Sequence, residues 1–488
     1  MQRPILSVKT ILMTGLVALW IAGVVVAGQK LSAQESLGEK ARRIRAQKEN
    51  AQSEQSPNSQ KAMSPAAADL TATVGLISET DPEKYREGVR LLLEQERFRV
   101  LDDVAAGERV NKTRFAGGEW KLWAFYDAIA SPAGKGRGVV PDWNGYRDRL
   151  SRWAGQQPES VTARVALAQA ELLYGWELRG PGELGTIQQD RFDRFMVQVR
   201  QAETLLNGAS ELQVKCPEWY DVMLQVGRAK GWELQDLNTL LERAVAFEPG
   251  YYYVYLQQAL TLTPKWRGRE GDVEKFAEEQ ANRMGGKAGD TLYWLIAQSV
   301  IGNSELAKLS QHFVWSRALI GYRALVEQYG ASTVRQNQIA FMAARFGDYM
   351  TADDLFLQVG DRWDPGTWST QEYFEKVRTW ARSTAGPFKK IIEAYKAVNA
   401  NVATPEGQRY DGQIAKEFTA RYARTVQDCK SAADAPTLLI LQVGKTGSVQ
   451  QMLVVPETAS DACLRPKLEK ANFSPPPKPE YWVRVSLK

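Results

Sequence analysis

Apolar residues along most of this chain recur at three- and four-residue spacing, the period of a helix with one buried face. In DPEKYREGVRLLLEQERFRVLDDVAAGE the pattern picks out Tyr85, Val89, Leu92 and Leu93, then Phe98 and Leu101 after a break. It returns at Val161 to Trp176, Phe192 to Leu206, Leu237 to Phe247, Val273 to Met284 and Ala318 to Tyr329. In NQIAFMAARFGDYMTADDLFLQV small and aromatic residues alternate around Gly347-Asp348, which predicts an antiparallel helix pair joined by a turn. Few strand-like runs interrupt residues 78–400. Hairpins of unequal length, packing small residues on aromatic ones, predict a mainly α body: a helical-hairpin, tetratricopeptide-like solenoid with no strict period.

Past residue 401 the period changes. A helix from Asp411 to Cys429 carries Ile414, Phe418, Tyr422 and Val426 at four-residue intervals, and TLLILQV, the turn GKTG and SVQQMLVV then read as a β-hairpin. A short helix, Ala462 to Lys470, and a final strand, YWVRVSL, complete a β-β-α-β order around PPPKP. In that strand Trp482, Arg484 and Ser486 alternate with Val483, Val485 and Leu487, which predicts one buried and one solvated face. Residues 401–488 are expected to form a small α+β domain.

The N-terminus is different again. Thr10 to Gln29 carries no charge and is just long enough, at about 20 residues, to span a bilayer. Residues 1–29 are therefore expected to be a single-pass anchor, with cleavage as a signal peptide near Ala27 or Ala33 as the alternative. Residues 30–77 are mostly rich in Gln, Ser, Ala, Lys and Glu, with little large apolar surface, and read as a disordered linker. The basic residues after the apolar stretch, from Lys30 to Lys48, favour a cytoplasmic body by loop charge. Long folded domains translocate largely regardless of that bias, so a periplasmic body is the expectation.

Length and composition then bound the function. At 488 residues the chain exceeds the roughly 250–300 that one core serves. Its +5 net charge, from 62 basic and 57 acidic side chains, gives no field for nucleic acid, and no nucleic-acid partner is expected. With a single histidine, His312, no multi-histidine metal site can form, and any Ser-His or Cys-His catalyst would depend on that one ring. GKTGS at 444–448 is too short for a phosphate-binding loop and reads as a hairpin turn. Acid pairs such as Asp102-Asp103 and Asp353-Asp354 read as solvated helix faces, so no enzyme, metal or cofactor is expected. One binding candidate remains in TLTPKWRGREGD, where Trp266 beside Arg267 and Arg269 could hold a carboxylate or sugar ring. The structural alternative has Trp266 plugging a gap between helices and the arginines pairing with nearby acids. The run Tyr251 to Tyr255 reads as helix packing.

Two family resemblances add to this. LLLEQERFRVLDDVAAGE with GGEWKLWAFYDAI, then WAGQQPESVTARVALAQAELLYGWELRGPG, then FEPGYYYVYLQQALTLTPKWRGREGD, resemble in order and spacing the bacterial domain-of-unknown-function 4034 family. Trp153, Pro158, Ser160, Ala163, Trp176, Arg179 and Gly180 are the most specific part. The resemblance spans about residues 85–360 and implies a helical repeat-like fold with no assigned activity. Residues 410–488 resemble TonB-like C-terminal domains of the variant found in gliding-motility and related envelope proteins. That likeness rests on Cys429 at a helix end, Gly447-Ser448-Val449 in the hairpin, Cys463 opening the next helix, and Phe473-Ser474-Pro475-Pro476. It implies a Cys429–Cys463 disulfide, which needs an oxidising compartment and, closing a loop of roughly 35 residues, contributes ~3 kcal/mol in the chain-entropy picture. Cys216 is then left as a buried free thiol.

Energy transduction is not implied, because the apolar segment holds no charge for coupling to a proton motor and the linker lacks a long proline-rich rod. The expected role is a non-catalytic scaffold of the cell envelope that binds protein partners through its helical body and its TonB-like domain. The alternatives are an envelope enzyme working on glycan or peptide through paired carboxylates, and a component of a transport or motility complex.

Overall fold

The computed structural model describes residues 77–132, 141–182, 184–301, 312–429, 437–455 and 461–487. The chain divides into two units, Met1–Asp69 and Leu70–Lys488, and all described residues belong to the second. The predicted anchor and nearly all of the predicted linker lie outside the described residues. Among the described residues no helix is long and apolar enough to cross a membrane.

The second unit is mostly helical, with one small antiparallel sheet at its end. The first helices are α1 (Pro82–Glu94), α2 (Phe98–Asn111), α3 (Lys121–Ala128), α4 (Trp143–Gln156), α5 (Val161–Arg179) and α6 (Gln189–Ser210). There follow α7 (Pro217–Lys230), α8 (Leu234–Phe247), α9 (Tyr253–Thr261), α10 (Asp272–Met284), α11 (Gly286–Ile301) and α12 (Trp315–Tyr329). Next come α13 (Thr333–Arg345), α14 (Tyr349–Val359), the single turn α15 (Pro365–Trp368), the long α16 (Gln371–Val402) and α17 (Pro405–Cys429). Strands β1 (Thr437–Val443) and β2 (Val449–Val455), helix α18 (Asp461–Leu468) and β3 (Tyr481–Leu487) complete the β-β-α-β order expected.

Local chemistry sets many of these boundaries. Asp81, Ser160, Asp348 and Thr370 each cap a helix by accepting a backbone N–H of its first turn, contacts worth about 1 kcal/mol apiece. Gly347, at a φ of 75°, takes the left-handed turn between α13 and α14 that a β-carbon disfavours.

Sequence neighbours pack extensively, α5 on α6, α10 on α11, α11 on α12 and α13 on α14, and α14 packs on α16 across the single turn α15. One continuous core runs from Tyr85 to Ala381. One break in the nearest-neighbour pattern is a short loop between α2 and α3. Gly117 N–H donates to the Gly330 carbonyl at 2.9 Å, and Arg335 Nε donates to the Gly117 carbonyl at 3.3 Å. In an open solenoid each repeat touches only its neighbours. Here a loop near the start of the body is tied to α12 and α13 near its end.

The sheet order is β2-β1-β3, all antiparallel, with Leu439 opposite Val454 on one side and Val485 on the other. Its turn, GKTGS, is the hairpin loop predicted. Gly447 is required there twice over: its φ is 91°, and a β-carbon would overlap the Phe473 carbonyl oxygen. Tyr410, Ile414 and Phe418 of α17 cover one face of the sheet together with Leu464 and Leu468 of α18. The opposite face carries Ile440, which packs on Ala394 and Val398 of α16. In β3 the alternation holds, since Tyr481 and Val483 are buried while Arg484 and Ser486 are exposed, yet Trp482 is half-buried against α16.

Candidate functional site

The loop after α9 folds back over α7. Trp266 is half-buried, edge-on to Trp176 with ring centroids 6.0 Å apart, and the Arg228 guanidinium lies over its ring at 5.3 Å. Arg267 donates to the Gly231 carbonyl and sits 3.6 Å from Glu233, while the backbone N–H of Arg269 donates to Asp272 at 2.7 Å. Trp266 and Arg267 thus act as a clasp between α5, α7 and the α7–α8 turn. Trp266→Ala uncovers Arg228 and Trp176 and is expected to cost about 1–3 kcal/mol of stability, read from denaturant midpoints; Trp266→Phe should restore most of it.

Beneath the clasp lies a polar seam. Pro217 opens α7, and the helical period then places Glu218, Asp221, Gln225 and Arg228 along one side of it. Arg228 reaches the Gln257 carbonyl at 3.1 Å and the Gln257 side-chain oxygen at 3.0 Å. Burial lowers its pKa to about 10, against the pull of Asp221. Gln225 donates to Asp221 at 2.8 Å, and Tyr251 donates to Glu218. Both carboxyls are sealed, at 0 % and 1 % exposure. Burial, reinforced by the neighbouring Asp221, pushes Glu218 well above the usual carboxylate range. Burial raises Asp221 to about 6, opposed by Gln225, Gln257 and Arg228. A carboxyl with no open approach is suited to internal hydrogen bonding, not to proton exchange with a substrate.

A second pair of acids is more open. Arg86 donates to Asp127 at 2.8 Å and also pairs with Glu119, and its guanidinium lies 5.9 Å from the Trp123 ring. Trp123 in turn stacks on Tyr253 at 4.7 Å. Burial raises the pKa of Glu119, against the Arg86 charge. Both carboxylates spend their charge on one guanidinium, which is a bridge between α1 and the loop and helix around α3.

Sequence reasoning did not find the cluster at the centre of the body. The Arg114 guanidinium lies between the rings of Trp120, at 4.3 Å, and Tyr329, at 4.8 Å. Arg114 and the Trp120 indole both donate to the Gly250 carbonyl, at 3.1 and 3.0 Å. Tyr252 donates to Tyr253, whose hydroxyl accepts the Trp120 backbone N–H, and Arg335 donates to Tyr252. The tyrosine run is therefore packing, as its sequence suggested, but it packs between distant segments. The only available signal was the recurrence of Gly beside aromatic residues in GGEW and EPGYYY.

The remaining candidates take structural places. His312 is exposed, 3.4 Å from Glu270. Asp102 is tied to Trp153 and Ser160. Asp353, expected on a solvated face, is instead 4 % exposed and paired with Lys389 at 2.5 Å, because α14 turns that side toward α16. Cys216 is a buried free thiol beside the Tyr126 hydroxyl, 3.4 Å away. A cavity of 240 Å³ between Arg90, Glu94, Tyr146 and Arg149 falls below the roughly 300 Å³ at which ligand pockets begin. Among the described residues no group of three or more His, Cys, Asp or Glu could hold a metal. Cys429 and Cys463 are bridged, with Cα atoms 5.6 Å apart, so the end of α17 is tied to the first turn of α18.

Comparison with known families and with curated proteins gives no match to this chain.

Proposed function

We propose that the chain is a non-catalytic adaptor of the bacterial cell envelope, whose helical body holds one partner while its C-terminal sheet receives another by strand addition. The observation that carries this reading is the strand order. With β1 in the middle, β3 has an outer edge to which no described strand is paired, and its side chains Arg484 and Ser486 are exposed. An edge of this kind is a template for an extended peptide, which gains main-chain hydrogen bonds along it.

Three further points support the proposal. The bridge between Cys429 and Cys463 fits an oxidising space, as expected of the TonB-like variant. The two carboxyls raised furthest, Glu218 and Asp221, are buried and hydrogen-bonded to Tyr251 and Gln225. The stacking of sequence-adjacent helices is in keeping with a repeat-like body, although the tie between Gly117 and Gly330 makes that body closed on itself more than an open solenoid is. The test is in-cell photocrosslinking in the native host, with the probe placed at Ser486 on β3 and, as control, at exposed Ala462 on α18. The proposal expects a discrete protein adduct from Ser486 alone; equal labelling from both positions, or none from Ser486, would contradict it.

A further inference from the structure

We propose that the Cys429–Cys463 bridge is a thiol-exchange site, opened by a dithiol reductant, and that Lys467 is the residue that makes it reactive. The Lys467 ammonium lies 3.4 Å from the Cys429 sulfur and 3.6 Å from the Cys463 sulfur. Its position four residues after Cys463 on α18 places it on the same side of that helix. No described carboxylate neutralises it, since nearby Asp461 is engaged by Arg465 at 2.8 Å. The ammonium therefore faces both sulfurs.

The two sulfurs are not equivalent. Cys429 is 8 % exposed, while Cys463 is half-buried and the more accessible. An incoming thiolate attacks Cys463 Sγ, a new S–S bond forms there, and the old bond breaks with its electron pair leaving on Cys429. That departing thiolate is the one nearest the ammonium, and a stabilised leaving group departs faster. The reductant's second thiol, as thiolate, then attacks its own sulfur in the mixed disulfide and releases Cys463. Two electrons pass to the protein, the reductant becomes a disulfide, and the Cys429 and Cys463 sulfurs are left reduced. The fold can tolerate this, because α18 keeps its buried anchors Leu464 and Leu468. What is released is the end of α17.

The site does not depend on the adaptor reading and is tested on the purified full chain. Glutathione is added at fixed pH, the reaction is quenched by alkylation, and peptides are mapped by mass. The mixed disulfide is expected on Cys463. Its rate of formation should fall about threefold to tenfold in Lys467→Met, fall further in Lys467→Glu and be largely retained in Lys467→Arg. Adduct on Cys429, or equal rates in all four proteins, overturns the proposal. Lys467 is exposed, so these variants should keep the fold; if one does not, the adduct position in the unaltered protein and the rate in Lys467→Arg decide.

Discussion

Trp120→Ala is expected to lower the stability of the helical body by about 3–5 kcal/mol, the range for emptying a fully buried large aromatic site. Trp120 is 1 % exposed and meets Tyr251 edge-on at 5.1 Å. Its removal also takes away the face on which Arg114 rests and one of the two side-chain donors to the Gly250 carbonyl. Those contacts join segments more than a hundred positions apart, so the loss should not stay local. Amide exchange should quicken at Gly117 and along the turn at Gly330 before it quickens in α5 or α6. Chemical denaturation with exchange mass spectrometry reads both effects. A cost under about 1 kcal/mol, or faster exchange confined to α3, would mean that the loop merely rests on the later helices.

Glu218→Gln should stabilise the protein at alkaline pH and do little in acid. The folded pKa values of Glu218 and Asp221 are both raised, by burial first, so the folded state binds protons more tightly than the unfolded chain. Stability from these protons is complete below the unfolded carboxyl values, near 4, and falls as pH rises through the folded values. For Asp221 that window runs to about 6, and for Glu218 it extends higher. The slope approaches 1.4 kcal/mol per pH unit for each proton being lost. A glutamine keeps an oxygen for the Tyr251 hydroxyl and has no proton to lose. The variant's denaturation midpoint should match the parent's near pH 4–5 and exceed it at pH 8. Parallel profiles would show that the pair titrates as exposed acids do.

The helices were legible where one face is buried throughout. The spacing between Val273 and Met284 and the turn at Gly347-Asp348 both appear as predicted, because each depends on residues within a turn or two of one another. The sheet was legible for a similar reason, since alternation in β3 and the short GKTGS connection are local signals. What the sequence hid is long-range. Nothing near Arg114 points to Tyr329, and nothing in PEWYD says that both of its flanking acids will be sealed. Helix α16 shows why a simple period fails: Phe374 and Ala381 belong to the core of the body, whereas Ala394 and Val398 face the sheet. The buried stripe changes direction along one helix, so its average pattern is blurred. Asp353 misled because an acid pair carries no mark of the lysine that will meet it. The Trp266 loop, conversely, drew notice through its composition, and its Trp266 and Arg267 side chains are spent on neighbours in the fold.

An adaptor of the envelope must have its folded part outside the cytoplasm, and this is what a fusion reporter tests most directly. An enzyme that becomes active only after forming its own disulfides, joined after Lys488 and expressed in the native host, reads the compartment without reference to the chain's own cysteines. Activity from that fusion, with a cytoplasm-dependent fluorescent reporter dark at the same position, is the result predicted. A dark disulfide reporter with a bright cytoplasmic one would contradict it, and would place Cys429 and Cys463 in a reducing space where partners must be sought instead.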